Sequence, residues 1–211
     1  MFNVCSHCGA YVVEKEIHPS GAGRALAVCP RCGQAHPFAY LPLFIITGPS
    51  AAGKSSVCLQ AAARDHQHVH LETDILWGAL PASADDDYAG YHNHWLRIAK
   101  NAAQGGRPVV LYNSAHPQQI ETCPEGRYFS RVHYLALVCE PETLAARLKA
   151  RPAWRESGDS QFIDAMLAYN AWFRQQAAQS ESPLELLDTT CQSLPETVDA
   201  VLAWLAARRM T

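Results

Sequence analysis

The sequence lacks any segment long and apolar enough to cross a membrane. No uninterrupted apolar run reaches the roughly 18 residues that a membrane-spanning helix needs. The first residues, MFNVC, also lack the basic region and apolar core of a secretory signal. We therefore expect no membrane partner and a cytoplasmic location.

A strong excess of charge of either sign is also missing. The chain has 17 Lys and Arg residues against 20 Asp and Glu residues, for a formal net charge of -3. This balance argues against bulk electrostatic binding to nucleic acid, although a local basic site stays an open alternative. Repeats and low-complexity tracts are absent too, and the 211 residues suffice for one α/β domain with a small appendage.

Four of the eight cysteines are spaced as metal ligands. They form two Cys-x-x-Cys-Gly pairs, Cys5 with Cys8 and Cys29 with Cys32. Two residues between paired thiolates allow one tight turn to direct both sulfurs at a single ion. Because four sulfurs fill every position around a tetrahedral Zn²⁺ ion, we predict a structural zinc site in an N-terminal ribbon over residues 1–40. The ribbon is either a structural cap or a docking module.

From residue 41 to residue 211 the pattern alternates between apolar strands and helices, which predicts one α/β domain. The predicted strands span residues 43–47, 69–72, 109–113, 132–138 and 184–187. The predicted helices span residues 55–66, 88–104, 141–150, 159–179 and 194–209. This alternation favours a parallel sheet with helices on both faces, a three-layer sandwich with ligands at the carboxyl ends of its strands.

The segment GPSAAGKS over residues 48–55 matches the phosphate-binding loop pattern G-x-x-x-x-G-K-[ST], between a predicted strand and a predicted helix. It predicts a site for a nucleoside triphosphate with Mg²⁺. Lys54 is expected to reach the β- and γ-phosphates, and the Ser55 hydroxyl to ligate Mg²⁺. The predicted nucleotide-binding residues of the loop are Gly48, Ser50, Ala51, Ala52, Gly53, Lys54, Ser55 and Ser56.

Two carboxylates, Glu72 and Asp74, close the second predicted strand at the edge where phosphates would lie. We expect Asp74, at this end of the strand, to accept the proton of an attacking hydroxyl. Glu72 is expected to hold a Mg²⁺-bound water or to hydrogen-bond the substrate. The alternative interpretation is an exposed acidic pair at a strand end.

A cluster of cations follows the fourth predicted strand. On a helix Arg147 and Arg151 share one face, and Pro152 ends that helix. Like charges so placed repel unless an anion lies between them, so we predict that they neutralise a transferring phosphoryl group. Arg155 is a third candidate cation at the substrate. A solvated basic face is the alternative.

Three further positions bear on the substrate. Asn113 stands where many phosphate-binding-loop proteins carry an aspartate, which argues against a motor or switch ATPase. Asn113 either hydrogen-bonds the substrate or caps its strand. Trp77 is the first candidate to stack on a planar acceptor. Asp188 and Thr189 follow the last strand, where backbone groups can border a purine.

Residues 43–205 resemble the P-loop kinases of nucleosides, nucleotides and small metabolites, including the gluconate and shikimate kinase branch. Glu72 and Asp74 stand at the acidic D-x-D pair of that group, with Glu in place of the first Asp, and the R-x-x-x-R pattern of its lid is matched by Arg147 and Arg151. The resemblance implies a strand order of 2-3-1-4-5 and a lid that closes over the nucleotide. It also implies that Asp188 and Thr189 border the base.

The leading hypothesis is therefore an ATP-dependent kinase that phosphorylates a small acceptor, and a nucleoside or nucleotide is the preferred candidate for that acceptor. The alternatives are a polynucleotide-end kinase, a small sugar-acid kinase and a non-enzymatic ATP-sensing adaptor. The predicted cofactors are ATP, Mg²⁺ and Zn²⁺. No Asn-Lys-x-Asp segment is present to select guanine, and the pattern predicts no particular oligomeric state.

Overall fold

The computed structural model describes residues 3–84, 87–179 and 184–208. Two sheets are formed. An antiparallel sheet comprises β1 (Glu16–Gly21), β2 (Arg24–Val28) and β3 (Ala35–Ala39), in that spatial order. A parallel sheet comprises β4 (Leu43–Thr47), β5 (Val69–Glu72), β6 (Val109–Tyr112), β7 (Val132–Val138) and β8 (Leu184–Asp188).

The parallel strands run in the spatial order β5-β6-β4-β7-β8. Numbered from the first strand of this sheet, that is 2-3-1-4-5, so the predicted order is confirmed. Helices α1 (Lys54–Arg64), α2 (Ala89–Ala102), α3 (Pro117–Glu121), α4 (Pro141–Lys149) and α5 (Ser160–Ala177) lie in the connections between strands, and α6 (Leu194–Ala207) follows the last strand.

The central strand β4 is buried on both faces, and its alternating side chains supply two cores. Leu43 and Ile45 pack in one core with α2 and α5. Phe44 and Ile46 pack in the other with α1 and α6. Helices therefore cover both faces of the sheet, and the predicted α/β three-layer sandwich is confirmed.

The predicted elements differ from the observed ones mainly at their ends. Strand β6 stops at Tyr112, one residue before the predicted end, and β8 continues to Asp188, one residue beyond it. The fifth helix begins one residue later than predicted because Asp159 caps it, accepting hydrogen bonds from the N–H groups of Gln161 and Phe162. The predicted last helix included residue 209, which lies outside the described residues. Helix α3 was not predicted, since five residues are too few for a helical pattern.

The antiparallel sheet packs against the parallel-sheet unit. Ala25, Ala27 and Phe38 form a small core with Tyr128, which lies in the 3₁₀ helix Pro124–Tyr128. The Tyr128 hydroxyl donates a hydrogen bond to the Val13 carbonyl at 2.6 Å. The predicted boundary near residue 40 stays a prediction, and we call residues 3–40 the cysteine module. Among the described helices, none is long and apolar enough to cross a bilayer, and the predicted cytoplasmic location stays a prediction.

Candidate active site

The phosphate-binding loop connects β4 to α1 at the carboxyl edge of the parallel sheet. Gly48 has φ 131°, and a Cβ built on it would lie 2.2 Å from the Leu137 carbonyl oxygen of β7. A side chain therefore has no room at this position. Gly53, with φ 103°, precedes the first helical residue and allows the left-handed turn into α1. The N–H groups at the start of α1 are thus free of a side-chain cap, as an anion site requires.

The Lys54 side chain hydrogen-bonds to the backbone of its own loop. Its Nζ donates to the carbonyl oxygens of Gly48 at 2.7 Å and Pro49 at 3.0 Å. Burial lowers the pKa of this amine to about 8, although the charge of Asp74 opposes the shift. The charge of Arg151 adds to the lowering. A polyanion next to Lys54 would raise the pKa of its amine again. Phosphate binding would therefore favour the charged form of Lys54.

The two predicted carboxylates, Glu72 and Asp74, lie on either side of the buried residue Thr73. Strand β5 ends at Glu72, and the chain turns into a 3₁₀ helix over Thr73–Leu76. Thr73 is fully buried, and its hydroxyl donates to the Tyr112 carbonyl at 3.1 Å and to Asn113 Oδ1 at 3.2 Å. These bonds hold the carboxylates on either side of Thr73 at the edge of the sheet.

A cavity of about 580 Å³ opens between the loop, the end of β5 and the segment after α4. It is lined by Ser50, Glu72, Asp74, Ile75, Trp77, Ser114, Trp154, Arg155 and Phe162. The volume falls within the range of small-molecule sites. The structure thus brings together the predicted carboxylates, Trp77, Arg155 and one residue of the phosphate-binding loop.

The two arginines that the sequence pairs lie in different surroundings. Arg147 donates to the Thr189 hydroxyl at 3.0 Å and to the Thr189 carbonyl at 2.8 Å, so its guanidinium is held at the loop after β8. Helix α4 ends at Lys149, which leaves Arg151 outside the helix and off the predicted shared face. Desolvation lowers the pKa of Arg151, the charge of Arg155 lowers it further, and Asp74 opposes both. The transition-state role of Arg147 stays a prediction.

Asn113 is not among the residues that line the cavity. Its side chain is buried, accepts from Thr73 and pairs with His92 Nδ1 at 3.1 Å through its amide nitrogen. This geometry favours the second predicted interpretation, a residue that fixes the end of its strand, and the substrate role of Asn113 stays a prediction. Ser114, the next residue, lines the cavity in its place.

The loop after the last strand is fixed by its own hydrogen bonds. Asp188 accepts from the Thr190 N–H at 2.9 Å through one oxygen and from Arg174 at 2.7 Å through the other. These donors outweigh the desolvation that would raise the pKa of Asp188, and the pKa is lowered. The Thr189 N–H donates to the Val138 carbonyl at 2.7 Å. The bordering of a purine by Asp188 and Thr189 stays a prediction.

Trp154 is a cavity residue that sequence reasoning missed. It is 74% exposed, and the guanidinium of Arg155 lies 4.6 Å from the centre of its ring. Trp77 is 60% exposed on another part of the lining, with its ring 5.3 Å from that of Tyr91. The only sequence signal for Trp154 was its position between Arg151 and Arg155, next to the predicted cation cluster.

The four predicted zinc ligands converge in the cysteine module. The Sγ atoms of Cys5 and Cys32 lie 3.7 Å apart and those of Cys8 and Cys29 3.9 Å apart; all four lie within 4.8 Å of one another. A tetrahedral zinc ion with Zn–S bonds of 2.3 Å requires sulfurs about 3.8 Å apart. The cluster therefore fits a metal ion of that size and geometry.

Backbone hydrogen bonds within each Cys-x-x-Cys turn favour the thiolate form of the first cysteine, whereas burial and neighbouring sulfurs raise the pKa of Cys32 to about 12. The Cys8 N–H has the largest effect in lowering the pKa of Cys5 to about 5, and an N–H of Arg31 does the same in direction for Cys29. His36 Nε2 lies 3.3 Å from Cys5 Sγ, so this histidine is a neighbour of a ligand and lies outside the set of four.

No family model and no curated protein matches the chain. Solved structures do match it. A sugar kinase from Janibacter sp. HTCC2649 is 16% identical, with a TM-score of 0.59 over 81% of this chain and 96% of the other. The chain has the fold of the P-loop kinases.

Two further matches agree with this P-loop kinase fold. A gluconokinase from Sinorhizobium meliloti 1021 is 22% identical, with a TM-score of 0.54 over 81% of this chain and 94% of the other. A tunicamycin resistance protein from Deinococcus radiodurans is 14% identical, with a TM-score of 0.58 over 79% and 95%. At these identities the likeness establishes the fold and leaves the reaction to be argued from the site.

Proposed function

We propose that the protein is an ATP-dependent phosphotransferase that moves the γ-phosphoryl group of ATP to a small acceptor. The observation that carries the proposal is the single cavity shared by Asp74, Arg155 and the phosphate-binding loop. Transfer needs an acceptor, a base and a phosphate site within contact distance of one another, and this cavity is large enough for them.

Each group has a proposed part in the reaction. The backbone N–H groups of the loop and the Lys54 amine bind the β- and γ-phosphates. Ser55 would ligate Mg²⁺, which supplies charge neutralisation on the phosphate oxygens when bound. Asp74 accepts the proton of the acceptor hydroxyl, and Glu72 orients the acceptor or a Mg²⁺-bound water. Arg151 offsets the charge that builds on the transferred group.

We propose that the acceptor is a nucleoside or nucleotide. Trp77 and Trp154 are both largely exposed and both line the cavity, so a planar base can stack on an indole there. A sugar acid is the second candidate, because Arg155 offers a cation for its carboxylate within the same cavity. A polynucleotide-end kinase and an ATP-sensing adaptor are outcomes of the test below.

The test is transfer of labelled γ-phosphate from ATP to a panel of nucleosides, nucleotides, sugar acids and short oligonucleotides. A labelled nucleoside or nucleotide product supports the proposal, and a labelled sugar acid or oligonucleotide assigns the alternative. ATP binding without transfer to any acceptor would contradict the phosphotransferase and favour the adaptor.

The pH dependence of nucleotide binding tests Lys54. Because burial lowers the pKa of its amine to about 8, Lys54 loses its positive charge in the free protein above that pH. Bound phosphates raise this pKa again, so we expect binding to take up a proton near pH 8 and to weaken as pH rises further. Titration calorimetry in two buffers of different ionisation enthalpy measures the uptake. No uptake in wild type, or equal uptake in Lys54→Met, would contradict this role.

We further propose that Cys5, Cys8, Cys29 and Cys32 hold one Zn²⁺ ion with a structural role. The sulfur spacing and the absence of any remaining coordination position for water support it. Elemental analysis of the purified protein should find one zinc per chain, and the Cys29→Ser variant should lose it. A metal-free protein with unchanged thermal stability would contradict the assignment.

A further inference from the structure

The contact between the cysteine module and helix α2 contains a buried polar network. Asn3, 6% exposed, accepts a hydrogen bond from Lys100 Nζ at 2.6 Å through Oδ1. Its amide nitrogen donates to Glu125 Oε1 at 3.0 Å. Lys100 also forms an ion pair with Glu125, and both side chains are buried. Asn3 is therefore a member of the network that the cysteine module contributes, and buried Lys15 of the same module lies close enough to act on the charge of Lys100.

Helix α2 is held along one face by the same network. Asn93 Oδ1 accepts from the Glu125 N–H at 3.1 Å, and Arg97 Nε donates to Glu125 Oε1 at 2.8 Å. Asn93, Arg97 and Lys100 follow at intervals of four and three residues, which places them on one side of the helix. Glu125 thus links this face of α2 to Asn3.

A second link lies just beyond the carboxyl end of α2. The Gln104 side chain accepts from the Ala39 N–H at 2.8 Å and donates to the Ala39 carbonyl at 3.2 Å. Ala39 is the last residue of β3 in the cysteine module. Two separate contacts therefore connect the module to the end of α2 that lies away from the cavity.

The other end of α2 supports the cavity. The Tyr91 hydroxyl donates to the Thr73 carbonyl at 2.6 Å, directly before Asp74 in the chain. The Tyr91 ring also contacts that of Trp77. Lys100 lies nine positions after Tyr91, about 14 Å along an α-helix, and the hydrogen-bonded helix moves as one piece over that length.

We propose that Asn3 is a positioning residue: through Lys100 and Glu125 the cysteine module sets the orientation of α2 and so places Trp77 and Asp74 in the cavity. The proposal rests on the proposed function only in taking this cavity as the acceptor site. Its test uses no nucleotide or acceptor, so failure of one claim leaves the other to be decided separately.

The test is fluorine NMR of the full chain labelled with 5-fluorotryptophan. The five tryptophans give separate resonances, and Trp77→Phe and Trp204→Phe assign the two that matter. Asn3→Ala should shift or broaden the Trp77 resonance. The Trp204 resonance, from the core on the opposite face of the sheet, should stay in place. An unchanged Trp77 resonance in folded Asn3→Ala would overturn the proposal.

A matched control distinguishes the positioning of α2 by Asn3 from a general effect of any contact between the cysteine module and the parallel-sheet unit. Glu14 pairs with Arg127 at 2.7 Å, a contact between the module and the parallel-sheet unit that does not involve α2. Glu14→Gln should leave the Trp77 resonance unchanged, and an equal shift in this variant would also overturn the proposal. If Asn3→Ala does not fold, Asn3→Asp, which keeps the oxygen that accepts from Lys100 and loses the N–H that donates to Glu125, decides the question by the same resonance.

Discussion

Asp74→Asn should lower the rate of phosphoryl transfer by about 10²- to 10⁴-fold, the usual contribution of a general base. The asparagine keeps the size of the side chain but cannot accept the proton of the acceptor hydroxyl. ATP affinity should stay close to that of the wild type, because the loop and Lys54 hold the phosphates without it. Initial rates with the acceptor found in the panel, together with calorimetric titration of an ATP analogue, measure both quantities.

The control for this prediction is Asp164→Asn, which removes an exposed carboxylate from α5 outside the cavity lining. This variant should transfer phosphate at the wild-type rate. A fully active Asp74→Asn protein would remove Asp74 from the role of base and leave Glu72 as the carboxylate to test.

Glu125→Leu should destabilise the protein by about 3–5 kcal/mol, because it leaves Lys100 buried without its carboxylate. Glu125 is fully buried, and hydrogen bonds from Lys100, Arg97 and Asn3 lower its pKa against a desolvation that would raise it. For a chain of this size the melting temperature should fall by roughly 6–20 °C. Thermal unfolding followed by circular dichroism measures the change.

Two further variants identify the cause of that loss. Glu125→Leu combined with Lys100→Met removes both charges and should recover much of the stability, because two apolar side chains carry no uncompensated buried charge. Asp199→Asn breaks the exposed ion pair with Arg64 and should cost less than about 1 kcal/mol. A loss in Glu125→Leu as small as that in Asp199→Asn would show that the buried network contributes little.

Local sequence patterns were sufficient to predict the parallel sheet. Strand β4 is a run of five apolar or small residues buried on both faces, so its sequence is uninterrupted and its bounds were predicted correctly. The ends of β5 and β7 were also predicted correctly, because polar residues or a proline follow them. The strand order came from the resemblance to P-loop kinases, since local patterns contain no information on which strands pair.

The sequence argument was strongest for residues that lie next to a strand, although Trp77 and Arg155, which do not, also line the cavity. Asp74 and the phosphate-binding loop follow β5 and β4 directly, so their position at the sheet edge could be deduced. Arg147 and Arg151 were paired by helical spacing, but the helix ends between them. Trp154 was missed because it lies on a short 3₁₀ turn with no periodic pattern.

The network that joins the cysteine module to α2 could not be predicted at all. Asn3, Lys100 and Glu125 are far apart in the sequence, and each alone has the pattern of a surface residue. Only the packing of the 3₁₀ helix Pro124–Tyr128 against α2 buries them together. Interactions of this kind depend on tertiary structure, which local propensity and spacing do not contain.

The central claim is that the turn between β4 and α1 binds polyphosphate in front of the carboxylate of Asp74. Calorimetric titration of a non-hydrolysable ATP analogue with Mg²⁺ tests it most directly, with Lys54→Met as the comparison. The account predicts saturable binding of one nucleotide per chain in wild type and at least tenfold weaker binding in Lys54→Met. No detectable heat in the wild type, or equal affinity in both proteins, would contradict it.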